Sequence, residues 1–192
     1  MNLKVHRIIY STYVEGPGHR ACIWVQGCNR QCNGCFARET WSKEGGTTYT
    51  TDEVFKNIKE LSSSIEGITF LGGEPFEQAE AVLELGTKIK NEGLSLIVFT
   101  GYTIEELKSL NNVLVDRLLN IIDVLVDGAF EIEKCDLTRP LVGSSNQRYI
   151  FLTDRYNEEI LSNKNKIEMK LHPNGKIEIN GMGDFNKLLN II

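Results

Sequence analysis

No apolar run in the sequence reaches the roughly 18 residues that a membrane-spanning helix requires. The best stretch, Val113 to Val126, is interrupted by Asp116, Arg117, Asn120 and Asp123, so no helical membrane anchor is expected. The opening residues, Met1-Asn2-Leu3-Lys4-Val5-His6-Arg7, lack the apolar core of a secretory signal. A cytoplasmic setting follows as the expectation, one in which thiols stay reduced. Positive charge is scarce too. Lys and Arg number 21 against 26 Asp and Glu, a net charge of −5, which fits no globally basic nucleic-acid binder, and a nucleic-acid partner is not expected. The three histidines, His6, His19 and His172, show no paired metal spacing, and no Ser-His-Asp set or carboxylate pair stands out. No solenoid repeat or low-complexity tract is present. At 192 residues, the chain can bury roughly 70% of its unfolded surface and needs no disulfide staples.

Cysteine is what remains to be explained. There are five, Cys22, Cys28, Cys32, Cys35 and Cys135, and three of them fall within eight residues. Inert cysteines sit in apolar surroundings, but this loop carries Asn29, Arg30, Gln31 and Asn33. A structural zinc needs four closed ligands; His19 or Cys22 would have to complete the set, and neither has the paired spacing. Cys22 lies in an apolar run, where it reads as a small hydrophobe. The third reading is a 4Fe–4S cluster with three protein ligands. Thiolates suit its sulfide core, and an open metal position marks catalysis rather than structure. Cys135, far downstream between Lys134 and Asp136, is a weak fourth ligand.

Around this loop the chain has a regular rhythm. Lys4–Tyr13 and Ala21–Val25 read as strands, separated by Glu15-Gly16-Pro17-Gly18. The residues from Gly27 to Gly45-Gly46, with Trp41 among them, show no periodicity, which in a compact domain suggests a functional loop. Thr50 to Glu53 spells a capping box ahead of Val54, Ile58, Leu61 and Ile65 at helical spacing. Strands at Ile68–Leu71, Leu94–Phe99 and Ile122–Val126 alternate with helices at about Glu77–Asn91 and from Thr103, with Glu106 as its box partner, to Leu119. Tyr149–Leu152 is a further strand. Lys166–Leu171 and Lys176–Asn180 flank His172-Pro173-Asn174-Gly175 as a hairpin. Such alternation argues for right-handed parallel βα units, but the chain is several units short of the roughly 250 residues of a full barrel. The fold expected is α/β, a partial, open βα barrel of mostly parallel strands with a short C-terminal β-hairpin and helix extension. Residues 1–152 would form the barrel domain, and 153–192 an extension packed on it.

Gly72-Gly73-Glu74-Pro75 ends one of these strands, at the edge where α/β sheets bind ligands. Two glycines let backbone approach a ligand closely and offer its amides and carbonyls; the competing reading is a turn with Pro75 at a helix start. Thr100-Gly101 and Asp127-Gly128 occupy equivalent strand ends, and Asp127 reads equally as part of an Asp-Gly turn.

The spacing Cys28-x₃-Cys32-x₂-Cys35 resembles that of the radical S-adenosylmethionine superfamily. The superfamily usually has an aromatic residue just before the third cysteine; here Gly34 stands there and Phe36 follows. That departure resembles one branch, the anaerobic ribonucleoside-triphosphate reductase-activating proteins. So do Glu15-Gly16-Pro17-Gly18-His19-Arg20, Val25-Gln26-Gly27-Cys28, Gly34-Cys35-Phe36 with Thr40-Trp41, Leu71 to Pro75, Thr100-Gly101-Tyr102, Asp123 to Phe130 and Gly143 to Arg148, in that order, over about residues 8 to 152.

The resemblance implies a 4Fe–4S cluster on Cys28, Cys32 and Cys35, whose open iron is chelated by S-adenosylmethionine. It implies reductive cleavage to methionine and a 5′-deoxyadenosyl radical. That radical would then install a glycyl radical on a large partner, an enzyme of the anaerobic ribonucleotide reductase type. A flavodoxin- or ferredoxin-type protein would donate the electron. Gly72, Gly73, Glu74 and Pro75 would receive the cofactor's amino group. Gly34, Phe36, Thr100, Gly101 and Asp127 are the further cofactor candidates, Phe36 against adenine and Asp127 against ribose or substrate. Two alternatives stay open: the same chemistry on another peptide or small molecule, since the last forty residues carry no activase pattern, and a non-catalytic iron–sulfur or metal-binding module with four ligands.

Overall fold

The computed structural model describes residues 1–162 and 165–183. The elements are β1 (Asn2–Thr12), β2 (Arg20–Val25), β3 (Thr47–Thr50), α1 (Thr51–Lys59), β4 (Gly67–Gly72), α2 (Ala79–Asn91), β5 (Ser95–Phe99), α3 (Ile104–Ser109), α4 (Val113–Leu119), β6 (Val124–Asp127), β7 (Arg148–Phe151), β8 (Ile167–Leu171) and β9 (Ile177–Gly181). Seven strands form one sheet in the order β3-β1-β2-β4-β5-β6-β7, and β8 and β9 form a separate two-stranded sheet. β2, β4, β5 and β6 run parallel. β1, β3 and β7 pair antiparallel with their neighbours. The protein is thus a mixed α/β fold with a mostly parallel sheet. The expected C-terminal hairpin is β8–β9; the helix expected after it lies outside the described residues.

Period-two alternation divides the strands between two faces. Ala21, Ile23 and Val25 of β2, Ile68 and Phe70 of β4, and Leu96 and Val98 of β5 pack with Val54 and Ile58 of α1, Val82, Leu85 and Ile89 of α2, and Leu118 of α4. Each such side chain, fully removed from water, contributes about 1.5–3 kcal/mol before entropy is counted. Among the described residues, no helix packs in the small cluster on the other face. There Cys22 and Trp24 of β2 pack with Ile9, Leu71 and the half-buried Phe99. Helix α1 stops at Lys59 rather than running on to Ile65; the Ser62-Ser63-Ser64 run beyond it favours turns, because seryl hydroxyls compete for backbone hydrogen bonds.

At the amino ends of the parallel strands, Arg20 is wholly buried. Its Nε donates to Thr69 Oγ1 at 2.9 Å, Nη2 to the Ile68 carbonyl at 2.6 Å, and Nη1 to Ser95 Oγ at 2.9 Å and to the Tyr156 hydroxyl at 3.2 Å. A buried guanidinium survives only when so paired. Tyr156 belongs to the extension, as does Thr153, whose hydroxyl donates to Asp123 at 2.6 Å. The strands' carboxyl ends are left for the cysteine loop.

Candidate active site

β2 delivers the chain to the cysteine loop at its carboxyl end, and backbone closes the loop. Gly27 N–H donates to the Thr40 carbonyl at 2.7 Å and Cys28 N–H to the Trp41 carbonyl at 3.1 Å. The buried Gln26 amide donates to the carbonyls of Glu39 and Ser42 at 3.0 and 2.7 Å. Trp41 is therefore part of the loop's own closure. Glu77, just ahead of α2, accepts from Asn29 N–H at 2.7 Å; nothing local in the sequence signals that clasp.

Cys28 is buried at 9% exposure, and Cys32 and Cys35 are half-buried. Gln31, between the first two, is held at φ 45°, a left-handed conformation that a non-glycine residue adopts only when its surroundings enforce it. Backbone amides turn toward sulfur. Ala37 N–H donates to Cys35 Sγ at 3.4 Å. Burial pushes the Cys28 thiol up, while the amides of Gln31 and Arg30 oppose that shift by donating to it. Donors of this kind stabilise negative sulfur, and the set of three soft thiols suits an iron–sulfur cluster. Among the described residues, no three His, Cys, Asp or Glu side chains converge on a point that one ion could occupy. Each of the three thiolates could meet a different iron of one iron–sulfur cluster.

The other candidate ligands lie elsewhere. Cys22 is sealed in the sheet, where burial pushes its thiol up. Cys135 is exposed, its backbone bridged to Ser144. His19 is engaged by Ser11 Oγ at 2.8 Å and the Ser64 carbonyl at 2.7 Å, and His172 sits 3.0 Å from Glu178 within the hairpin.

Three strand ends form a rim beside the loop. Gly72, at φ 97°, passes so close to β2 that a Cβ there would lie 2.7 Å from Trp24 Cα, so only glycine fits. Gly73 N–H donates to the Val25 carbonyl and Glu74 N–H to the Gly27 carbonyl, both at 2.8 Å. Of the amides and carbonyls this segment was expected to offer a ligand, the amides of Gly73 and Glu74 are engaged by β2 and the turn after it.

Glu74 is buried and accepts from Phe76 N–H at 3.0 Å, Thr100 Oγ1 at 2.8 Å and Gly101 N–H at 2.9 Å. Burial nevertheless lifts its carboxyl to about 7. Pro75 opens the short 3₁₀ turn that precedes α2. Asp127, fully buried, accepts from Ile104 N–H at 2.8 Å and pairs with Arg148 at 2.9 and 2.5 Å. The side chains of Glu74, Thr100 and Asp127 thus face partners inside the protein and brace the rim.

The loop leans on two further walls. Arg30 lies over the Tyr102 ring at 4.7 Å and 3.4 Å from Glu106. On the other side Gly34, at φ 78°, abuts Ile132, which a Cβ would approach to 3.0 Å. Phe36, 62% exposed, tilts against Phe130 with ring centres 5.1 Å apart.

A mostly parallel sheet bearing a cysteine loop at its carboxyl edge is an α/β protein of iron–sulfur type, and the chain matches the 4Fe-4S single cluster domain over residues 14–150. It is 36% identical to the anaerobic ribonucleoside-triphosphate reductase-activating protein of Vibrio cholerae over 152 residues, 76% of this chain and 96% of that one. The protein of the same name from Enterobacteria phage T4 is 33% identical over 79% of this chain and 96% of its own length, and that from Escherichia coli 32% over 76% and 96%. The chain belongs to this family of activating proteins. Among solved structures, QueE from Escherichia coli overlaps 54% of each chain at 18% identity, with a TM-score of 0.47. No helix among the described residues is long and apolar enough to cross a membrane.

Proposed function

We infer that this protein is a radical S-adenosylmethionine enzyme that generates a glycyl radical on an anaerobic ribonucleotide reductase. Membership of the activating-protein family carries that reading, with the cysteine loop clasped at the sheet's carboxyl edge as the place where the chemistry happens. Cys28, Cys32 and Cys35 would hold the cluster, and Gly34 would let the loop close against Ile132. When bound, the cluster would supply the electron for reductive cleavage of S-adenosylmethionine, the chemistry by which hydrogen is taken from the partner's glycine.

What the chain itself contributes is placement. Carbonyl oxygen along Gly72-Gly73 would accept hydrogen bonds from the cofactor's amino group, while Glu74, Thr100 and Asp127 hold the strand ends in register. Phe36 and Phe130 shield the loop's outer side from water. Holding reactants in near-contact can contribute about 7–11 kcal/mol, and water must stay out while a radical exists.

We read the seven-stranded sheet as an open partial barrel, whose unclosed side would admit a loop from a second protein. A flavodoxin- or ferredoxin-type donor and a cytoplasmic, anaerobic setting complete the reading. The test is anaerobic reconstitution followed by dithionite and S-adenosylmethionine. The expected products are 5′-deoxyadenosine and, with the reductase present, a glycyl radical signal on that larger chain. Intact S-adenosylmethionine under every reductant would return the protein to the class of electron carriers.

A further inference from the structure

Two arginines of the sheet are treated in opposite ways. Arg20 spends every nitrogen on protein acceptors. Arg7 of β1 spends none: it forms no hydrogen bond or ion pair among the described residues, and its Nε is sealed from solvent without a partner. Its guanidinium carbon lies over the Trp24 ring, 4.0 Å from the ring centre. Covering an indole does not call for this arrangement, because a Leu or Met would do so without burying an unsatisfied donor.

The location is telling. Trp24 packs with Leu71 and Phe99 on the sheet face opposite helices α1, α2 and α4. Each of the three lies just short of a rim element: Trp24 before the Gln26–Cys28 turn, Leu71 before Gly72-Gly73, and Phe99 before Thr100-Gly101. Arg7 therefore stands on the floor directly beneath the site, held by its contact with Trp24 and with its donor fork unspent.

We propose that Arg7 receives a carboxylate of the molecule that enters this cleft. The guanidinium fork matches a planar carboxylate with two parallel hydrogen bonds, and the cation–π contact with Trp24 restrains the group in advance. A phosphate dianion fits less well, since Arg7 is a lone cation whose field already acts on the buried Glu15 carboxyl. The carboxylate has two sources within the functional reading on which this proposal rests: that of S-adenosylmethionine, or one on the partner chain.

The test compares reconstituted wild-type, Arg7→Gln and Arg7→Lys holoproteins in two arms. Equilibrium dialysis measures S-adenosylmethionine, and anaerobic interferometry measures the reductase. The Gln variant should weaken one arm by about tenfold or more, as loss of a charge-assisted bidentate contact implies, with the melting temperature unchanged. The affected arm identifies the source. Lys keeps the charge without the fork and should fall between; it decides the matter if the Gln variant does not fold. Wild-type affinity in both arms, with or without a lowered melting temperature, overturns the proposal and leaves Arg7 as a cover for Trp24. A wild-type holoprotein that binds neither molecule overturns the functional reading, and this proposal with it.

Discussion

The side chain of Glu74, expected beside a ligand, is closed in by partners of its own chain. A sequence shows that a carboxylate ends a strand, but not that Thr100 Oγ1 and two backbone amides will close around it. Asp127 is the same case, since Arg148 and Ile104 reach it only once β7 and α3 are in place. The cysteines were legible because their spacing is local. Alanine at Cys28, Cys32 or Cys35 should each abolish iron binding after anaerobic reconstitution, whereas Cys22→Ala and Cys135→Ala should retain about four irons per chain. Iron lost with Cys135 would mean a fourth protein ligand and no vacant metal corner. Burial also gives two carboxyls a pH signature. Glu15 and Glu74 are each raised from 4.5 to about 7, Glu15 despite a hydrogen bond from Gly181. Between those values the folded chain keeps protons that the unfolded chain has released. Stability should therefore fall as pH rises from about 4.5 to 7 and level off above, by about 3 kcal/mol per group at most. Glu15→Gln should remove roughly half of that slope in urea midpoints measured at pH 5 and pH 7. An unchanged slope would mean that Glu15 ionises at its ordinary pKa.

Elements were legible where their signals are local. Both capping boxes form as spelled: Thr50 with Glu53, and Thr103 with Glu106. β3 was not foreseen, because Thr47-Thr48-Tyr49-Thr50 is an exposed edge strand with no buried face to imprint a pattern. Nor was the antiparallel direction of β7, which is decided by how the loop of residues 128–147 returns across the sheet and not by any residue within the strand. The join of β6, β7 and α3 rests on Asp127, which makes it testable. Arg148 is 43% exposed while Asp127 is wholly buried, so solvent screens one partner and the pair is worth less than a fully buried one. Asp127→Asn keeps an acceptor for Ile104 N–H but loses the charge facing Arg148. A loss of about 2 kcal/mol is expected in equilibrium unfolding. Thr103→Ala should cost about 1 kcal/mol by removing the α3 cap. If Asp127→Asn instead abolishes cofactor affinity at unchanged stability, Asp127 touches the ligand and its bracing role is wrong.

At the scale of the whole molecule the two ends of the parallel strands do different work. The carboxyl ends carry the cysteine loop and its rim; the amino ends are tied down by residues beyond 152, past the last matched residue of the family domain at 150. Tyr156 bonds to Ser95 and Arg20, Thr153 to Asp123, and Arg155 to the Gly93 carbonyl, while Asn180 of β9 reaches Thr12 of β1 at 2.8 Å. These hydrogen bonds, at about 1 kcal/mol each, tie the described part of the extension to the amino edge of the sheet. Removing residues 153–192 should therefore lower unfolding stability by about 3–5 kcal/mol, because Arg20 and Asp123 lose partners they cannot replace while buried. Tyr156→Phe alone should cost about 1 kcal/mol of that. Iron content and 5′-deoxyadenosine formation, both measured well below the melting temperature, should persist in the truncated chain, since the cysteine loop hangs from the opposite edge. If truncation strips the cluster while the sheet stays folded, the two ends are coupled, and the extension would have to be counted as part of the machinery that holds the loop in place.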